Sequence, residues 1–116
     1  MTTPGKKVNV AAKHKLPFSN ITIMGIKYDV VLVKELKDND GNECWGDTDS
    51  ENYIIKLVDG PRKRVNRVLC HELVHVWQDA QGDPISEERA EKMEVVLFDL
   101  FTNSPEVVAF LQKTSW

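Results

Sequence analysis

The five residues His71-Glu72-Leu73-Val74-His75 constrain this chain more than any other stretch. Two histidines four positions apart lie on one face of an α-helix, about one turn from each other, and both imidazoles can then reach a single metal ion. The glutamate directly after the first histidine lies beside such an ion without binding it, placed to take a proton from an attacking water. Two conditions follow. The segment must be helical, a third ligand must follow, and without both the pair reads as two histidines packed on a helix near the core.

The first condition is met by pattern. Val65, Leu69, Leu73, Val76 and Ala80 recur at three-to-four spacing, which predicts a helix from Pro61 to about Ala80 with that stripe in the core. Pro61 suits the start of the helix, and Gly82-Asp83-Pro84 stops it. His71, His75 and Gln78 or Asp79 run alongside the stripe, at the edge of the buried face; Trp77 reads as a core residue.

The sheet that such a helix packs on is expected upstream. Ile21 to Leu36 is dense in β-branched and aromatic residues and is broken by Met24-Gly25, which predicts a short strand, a turn and a longer strand from Ile26. Tyr53 to Val58 reads as a third strand, at the sheet edge beside the cleft, and the polar run from Glu43 to Asn52 as a loop. Downstream, Ser86 is a good N-cap for a helix from Glu87 to Thr102 that buries Ala90, Met93, Leu97, Leu100 and Phe101; a short last helix follows Ser104-Pro105. The expected fold is α+β: a small three-stranded, mainly antiparallel sheet on an active-site helix, a ligand-bearing second helix and a short C-terminal helix. Residues 1–20 read as a loose arm, with a helical turn around Val8 to Lys15, and 21–116 as one domain.

Composition narrows the function classes. A net charge of −3, with one short basic cluster (Arg62-Lys63-Arg64 and Arg67) at a helix start, argues against a nucleic-acid partner. No stretch approaches the roughly 20 apolar residues of a membrane span. The first 16 residues are polar and basic, unlike a secretory signal, so the cytoplasm is the expected compartment. Cys44 and Cys70 make no disulfide framework and no Cys-x-x-Cys zinc pair, and His14 reads as exposed and idle.

The third ligand must be a carboxylate, because no histidine follows His75. Asp79 lies too far along the same helix axis to share the ion, and Asp83 requires a sharp reversal. The next helix offers Glu87, Glu88, Glu91 and Glu94. Glu87 lies one turn before Ala90 and points toward the first helix, which makes it the leading candidate; Glu88 and Glu91 remain alternatives. Glu91 is also placed to hydrogen-bond a ligand histidine from behind.

With these parts in order, the chain resembles the gluzincin metallopeptidases, and within them the small phage and bacterial zinc peptidases of the ImmA/IrrE type. The resemblance rests on Leu69-Cys70-His71-Glu72-Leu73-Val74-His75 and the acid-rich helix start Glu87-Glu88-Arg89-Ala90, and spans roughly residues 21–111. It implies Zn²⁺ held by His71, His75 and Glu87, Glu72 as general base, and a peptide or protein substrate. Tyr53, Tyr28 and Arg89 are candidates for a second oxyanion donor. Glu94 departs from the pattern: it stands after Met93, where the family carries a small residue, and has no role in this reading. The rival expectation is a non-catalytic regulatory or protein-binding module with a structural or degenerate zinc site.

Overall fold

A computed structural model describes residues 12–116. Most of the arm expected at residues 1–20, including the start of its helical turn, therefore lies outside the described residues. The first element pair is a hairpin: β1 (Asn20–Ile23) runs antiparallel to β2 (Ile26–Val33), with Ile23 opposite Ile26. Met24 and Gly25 between them have φ of 52° and 80°. Two successive positive φ values twist a two-residue turn in the same sense as the strands, and glycine adopts one of them without strain.

The sheet has four strands rather than the three expected, in the order β1-β2-β4-β3, where β3 is Gly46–Asp49 and β4 is Ile54–Val58. It is mixed, not mainly antiparallel: β2 and β4 pair in parallel, Val30 opposite Ile55, and β3 and β4 pair antiparallel, Thr48 opposite Ile55. The missing strand is Gly-Asp-Thr-Asp, whose polar composition reads as loop. That composition suits an edge, and the apolar Ile54-Ile55-Lys56-Leu57-Val58 suits the interior. So β4 is the inner strand and β3 the edge strand, the reverse of the expected placement. The β3–β4 turn is tied by Asp49, whose Oδ1 accepts from the backbone N–H groups of Glu51 and Asn52 at 3.0 Å each.

Three helices follow: α1 (Arg62–Ala80), α2 (Glu87–Asn103) and α3 (Pro105–Gln112). The core forms where Tyr28, Val30, Ile55 and Leu57 of the sheet meet Val65 and Val76 of α1, with Val68, Leu69 and Leu73 packed around them. Burying such side chains contributes about 1.5–3 kcal/mol each, so this seam holds α1 against the sheet. Ala80 is exposed and Trp77 is 37% exposed, so the stripe stops at Val76 and Trp77 is not core. On α2 only Ala90 is fully buried; Met93 and Phe101, expected in the core, are exposed. The face that α2 turns to α1 runs instead through Glu87, Ala90, Glu94 and Leu97, at three-to-four spacing.

The α1–α2 link is short. Gly82 has φ of 76°, and Asp83 N–H bonds back to the Gln78 carbonyl at 3.0 Å, which ends α1 with a left-handed glycine. Ser86 then caps α2, its hydroxyl accepting from Arg89 N–H at 3.2 Å.

At the other end of the sheet His14 is not idle. Its backbone N–H and Nδ1 meet the two oxygens of Asp59 at 2.8 and 2.7 Å. The His14 backbone N–H, reinforced by its side chain and opposed by burial, holds the Asp59 carboxyl down at about 2, against 3.8 when unperturbed. A carboxyl depressed by folding stabilises the native state above its unfolded value and ceases to do so as pH falls through its folded value. Asp59→Asn is therefore expected to lower the melting temperature by a few degrees at pH 7. The difference should shrink below about pH 4 and vanish near pH 2, which thermal melts across that range will show.

Candidate metal centre

His71 and His75 point from α1 toward the start of α2, their rings edge to face with centroids 4.7 Å apart. Glu87, the first residue of α2, projects an oxygen between them: Glu87 Oε1 is 2.8 Å from His71 Nε2 and 3.2 Å from His75 Nε2. One ligand atom from each of the three residues lies within 4.8 Å of the others. The alternatives for the carboxylate fall away. Glu88 points out to Lys92 at 3.7 Å, and Glu91 is exposed. Neither cysteine joins the group: Cys70 is buried in α1 and Cys44 is half-buried upstream of β3.

What lies behind the histidines fixes their protons. His71 Nδ1 is 2.7 Å from Glu94 Oε1, and a carboxylate only accepts, so Nδ1 carries the hydrogen. His75 Nδ1 is 2.9 Å from Gln78 Oε1. The Gln78 amide, 1% exposed, is oriented by the chain itself: its Nε2 donates to Ser86 O at 3.2 Å, and its Oε1 accepts from Ser86 N–H at 3.3 Å. Gln78 therefore offers an oxygen, and His75 Nδ1 donates. With both Nδ1 positions protonated, a neutral imidazole has its lone pair on Nε2. Both Nε2 atoms then face the same carboxylate oxygen, Glu87 Oε1: a lone pair there can bind an ion, and without an ion a proton on Nε2 completes the hydrogen bond to Glu87.

Two imidazole nitrogens and a carboxylate oxygen that converge in this way fit a divalent ion. Zinc bonds of about 2.0–2.2 Å at tetrahedral angles separate adjacent donors by roughly 3.3 Å; Glu87 Oε1 lies 2.8 and 3.2 Å from the two Nε2 atoms, and all three donors fall within 4.8 Å of one another, so small side-chain shifts admit the ion. In the ion-free protein a proton competes for this place. Burial lowers the His71 pKa, but Glu94 and Glu87 on its two nitrogens outweigh it and hold the imidazole above its usual value. Glu87, opposed by burial, is held below the usual carboxylate range by its contacts with His71 and His75.

Glu94, without a role in the sequence reading, is the partner that Glu91 was expected to be. Seven residues make two helical turns to within about 20°, so Glu94 shares the face of Glu87, whereas four residues turn Glu91 about 40° the other way. Glu94 Oε2 also takes a hydrogen bond from Arg67 Nε at 2.8 Å, so one carboxylate ties two successive turns of α1 to α2. The seven-residue repeat was the available signal. Glu94→Ala is expected to weaken metal binding by about 10–100-fold, because the His71 ring loses the acceptor that orients it. Competition with a chromophoric chelator reads this directly, and Glu94→Gln, which keeps an accepting oxygen, should fall between.

Glu72 lies beside the group, one residue on from His71 but turned toward the sheet, and is 5% exposed. Thr48 of β3 donates its hydroxyl to Glu72 Oε1 at 2.8 Å. Burial raises the Glu72 pKa, with the Thr48 hydroxyl and the nearby histidines pulling the other way. Gly46 permits the approach of β3 to α1: a Cβ there would stand 2.5 Å from a Val68 methyl and 3.2 Å from Glu72 Oε2.

The cleft over this group has two arms. One, about 420 Å³, is lined by Trp45, Gly46, Arg64, Arg67, His71 and Glu72 among others; the second, about 200 Å³, includes Asp47, Thr48, Ser50, His75, Ile85 and Glu87. Tyr28, Tyr53 and Arg89, the expected oxyanion donors, line neither arm. Tyr28 is a core residue, 1% exposed, packed edge-on against Tyr53. A roomier groove of about 580 Å³ lies between residues 12–19 and strands β2 and β4, but among the described residues no converging ligand set lines it, so donor chemistry rather than volume locates the site.

No family model, curated protein or solved structure matches the chain.

Proposed function

We propose that the chain is a zinc-dependent metallopeptidase of the gluzincin kind, similar to the ImmA/IrrE type, with His71, His75 and Glu87 as ligands and Glu72 as general base. The observation that carries this reading is the convergence of the two Nε2 atoms and Glu87 Oε1, with each ring oriented from behind by Glu94 or Gln78. Nitrogen and carboxylate donors in a group of this size suit zinc, which when bound polarises a carbonyl and makes water a nucleophile near neutral pH.

The remaining chemistry belongs to the chain. Glu72, its Oε1 held by the Thr48 hydroxyl, takes the proton of the attacking water and returns it to the leaving amine. Burial raises the basicity of that carboxylate, which favours the transfer. An extended peptide fits as a further strand on β3, which pairs with β4 on one side only and runs past Glu72. Three donors among the described residues also favour this reading over the rival structural zinc, since a structural ion is closed by four protein ligands. The test is direct. Zinc-loaded protein, incubated with a mixture of short peptides and followed by mass spectrometry, is expected to produce internal cleavages that a chelator stops; no cleavage of any peptide would overturn the proposal.

A further inference from the structure

The two arms of the cleft differ in charge. Beyond the ligand group and Glu72, which borders both, the smaller arm presents the carboxylate of Asp47, and the larger arm presents Glu94 together with Arg64 and Arg67, one turn apart on α1. The two arginines are not equivalent. Arg67 is neutralised by Glu94 at 2.8 Å. Arg64 has no carboxylate within ion-pair distance among the described residues. Its guanidinium is nonetheless held in place: its carbon lies 3.9 Å from the centroid of the Trp45 ring, and Nη2 donates to the Asp59 carbonyl at 2.9 Å. Its Nε is buried with no acceptor. The buried Nε is closed to a ligand, so a carboxylate meets the edge of the guanidinium that lines the cleft, and a planar group already immobilised on an aromatic face loses little entropy when it arrives.

Resting on the peptidase reading above, we propose that Arg64, stacked on Trp45, is the specificity determinant of the cleft and receives a carboxylate of the bound peptide. The substrates are then peptides carrying Asp or Glu, or a free C-terminus, on the Trp45 side of the scissile bond. The opposite arm, with Asp47, disfavours a second acid.

The test uses binding, so that it does not depend on turnover. Zinc-loaded Glu72→Gln protein is titrated with fluorescent, C-terminally amidated alanine hexapeptides carrying one Glu at each position in turn, alongside the all-alanine parent in amidated and free-acid forms. One charge-assisted hydrogen-bonded contact predicts that the best acidic peptide binds about tenfold tighter than the amidated parent. A Glu register that wins identifies a side-chain subsite, and a free-acid parent that wins identifies a C-terminal one. Adding Arg64→Gln should reduce the advantage to less than about twofold, and Arg64→Lys, which keeps the charge without the planar fork, should retain part of it. Circular dichroism melts of both variants control for folding. The proposal is overturned if no carboxylate-bearing peptide exceeds the amidated parent, or if the advantage survives Arg64→Gln in folded protein. The peptidase reading fails separately, if wild-type protein shows the Arg64-dependent preference yet cleaves none of these peptides.

Discussion

Glu72→Gln is expected to reduce peptide hydrolysis by a factor of about 10²–10⁴ while leaving about one zinc ion bound per chain. The substitution preserves shape and keeps an oxygen for the Thr48 hydroxyl, so the contact between β3 and α1 survives. It removes only the capacity to accept and return a proton. The same change should stabilise the metal-free protein. A carboxyl whose pKa is raised by burial is destabilising when ionised, and a neutral amide in its place is free of that cost. Loss of rate together with an unchanged or higher melting temperature separates a chemical role from a structural one. Hydrolysis that persisted undiminished in pure Glu72→Gln protein, with zinc present, would assign the proton transfer to another group.

Metal removal is expected to have the other large effect. A ligand present at a thousand times its dissociation constant stabilises the native state by about 4 kcal/mol, which in a domain of this size is a shift of roughly 10 °C or more in melting temperature. A chelator should cause that drop in wild-type protein and none in His71→Ala, which lacks one of the three donors and should carry little or no zinc. The physical reason lies in the two imidazole lone pairs. Without an ion between them and Glu87, the site must take up protons, and His71, held above its usual value by Glu94 and Glu87 against burial, is already inclined to. Metal binding should therefore release protons and weaken as pH falls below neutrality. An identical melting curve with and without chelator, or a His71→Ala protein that still holds zinc in full, would remove the basis of the assignment.

Much of this was legible from the residues because it is local. The spacing of His71 and His75 places them on one helix face whatever surrounds them, and Ser86 before Glu87-Glu88 marks a helix start by its own side-chain chemistry. Together they made Glu87 the leading carboxylate, and the structure brings it to the two histidines. The partners behind the histidines were less legible. Glu94 and Gln78 look like ordinary surface residues in one dimension; a buried glutamine becomes recognisable only when its two hydrogen bonds to Ser86 are seen.

The sheet shows the limit most clearly. Strand propensity located β1, β2 and β4 and passed over Gly46-Asp47-Thr48-Asp49, because a polar strand has no pattern of its own. Its place is set by others: β4 is apolar enough to be buried between two neighbours, and the hairpin that joins β3 to β4 then leaves β3 at the free edge, against Glu72. The sequence by itself determined the helix, its pair of imidazoles and the glutamate between them, since these depend on the pitch of one element. Only the tertiary structure decided which acid stands behind each ring, which strand borders the cleft and which arginine is left without a carboxylate. Those depend on how separate elements pack, and packing energy is shared among residues that are distant in the chain.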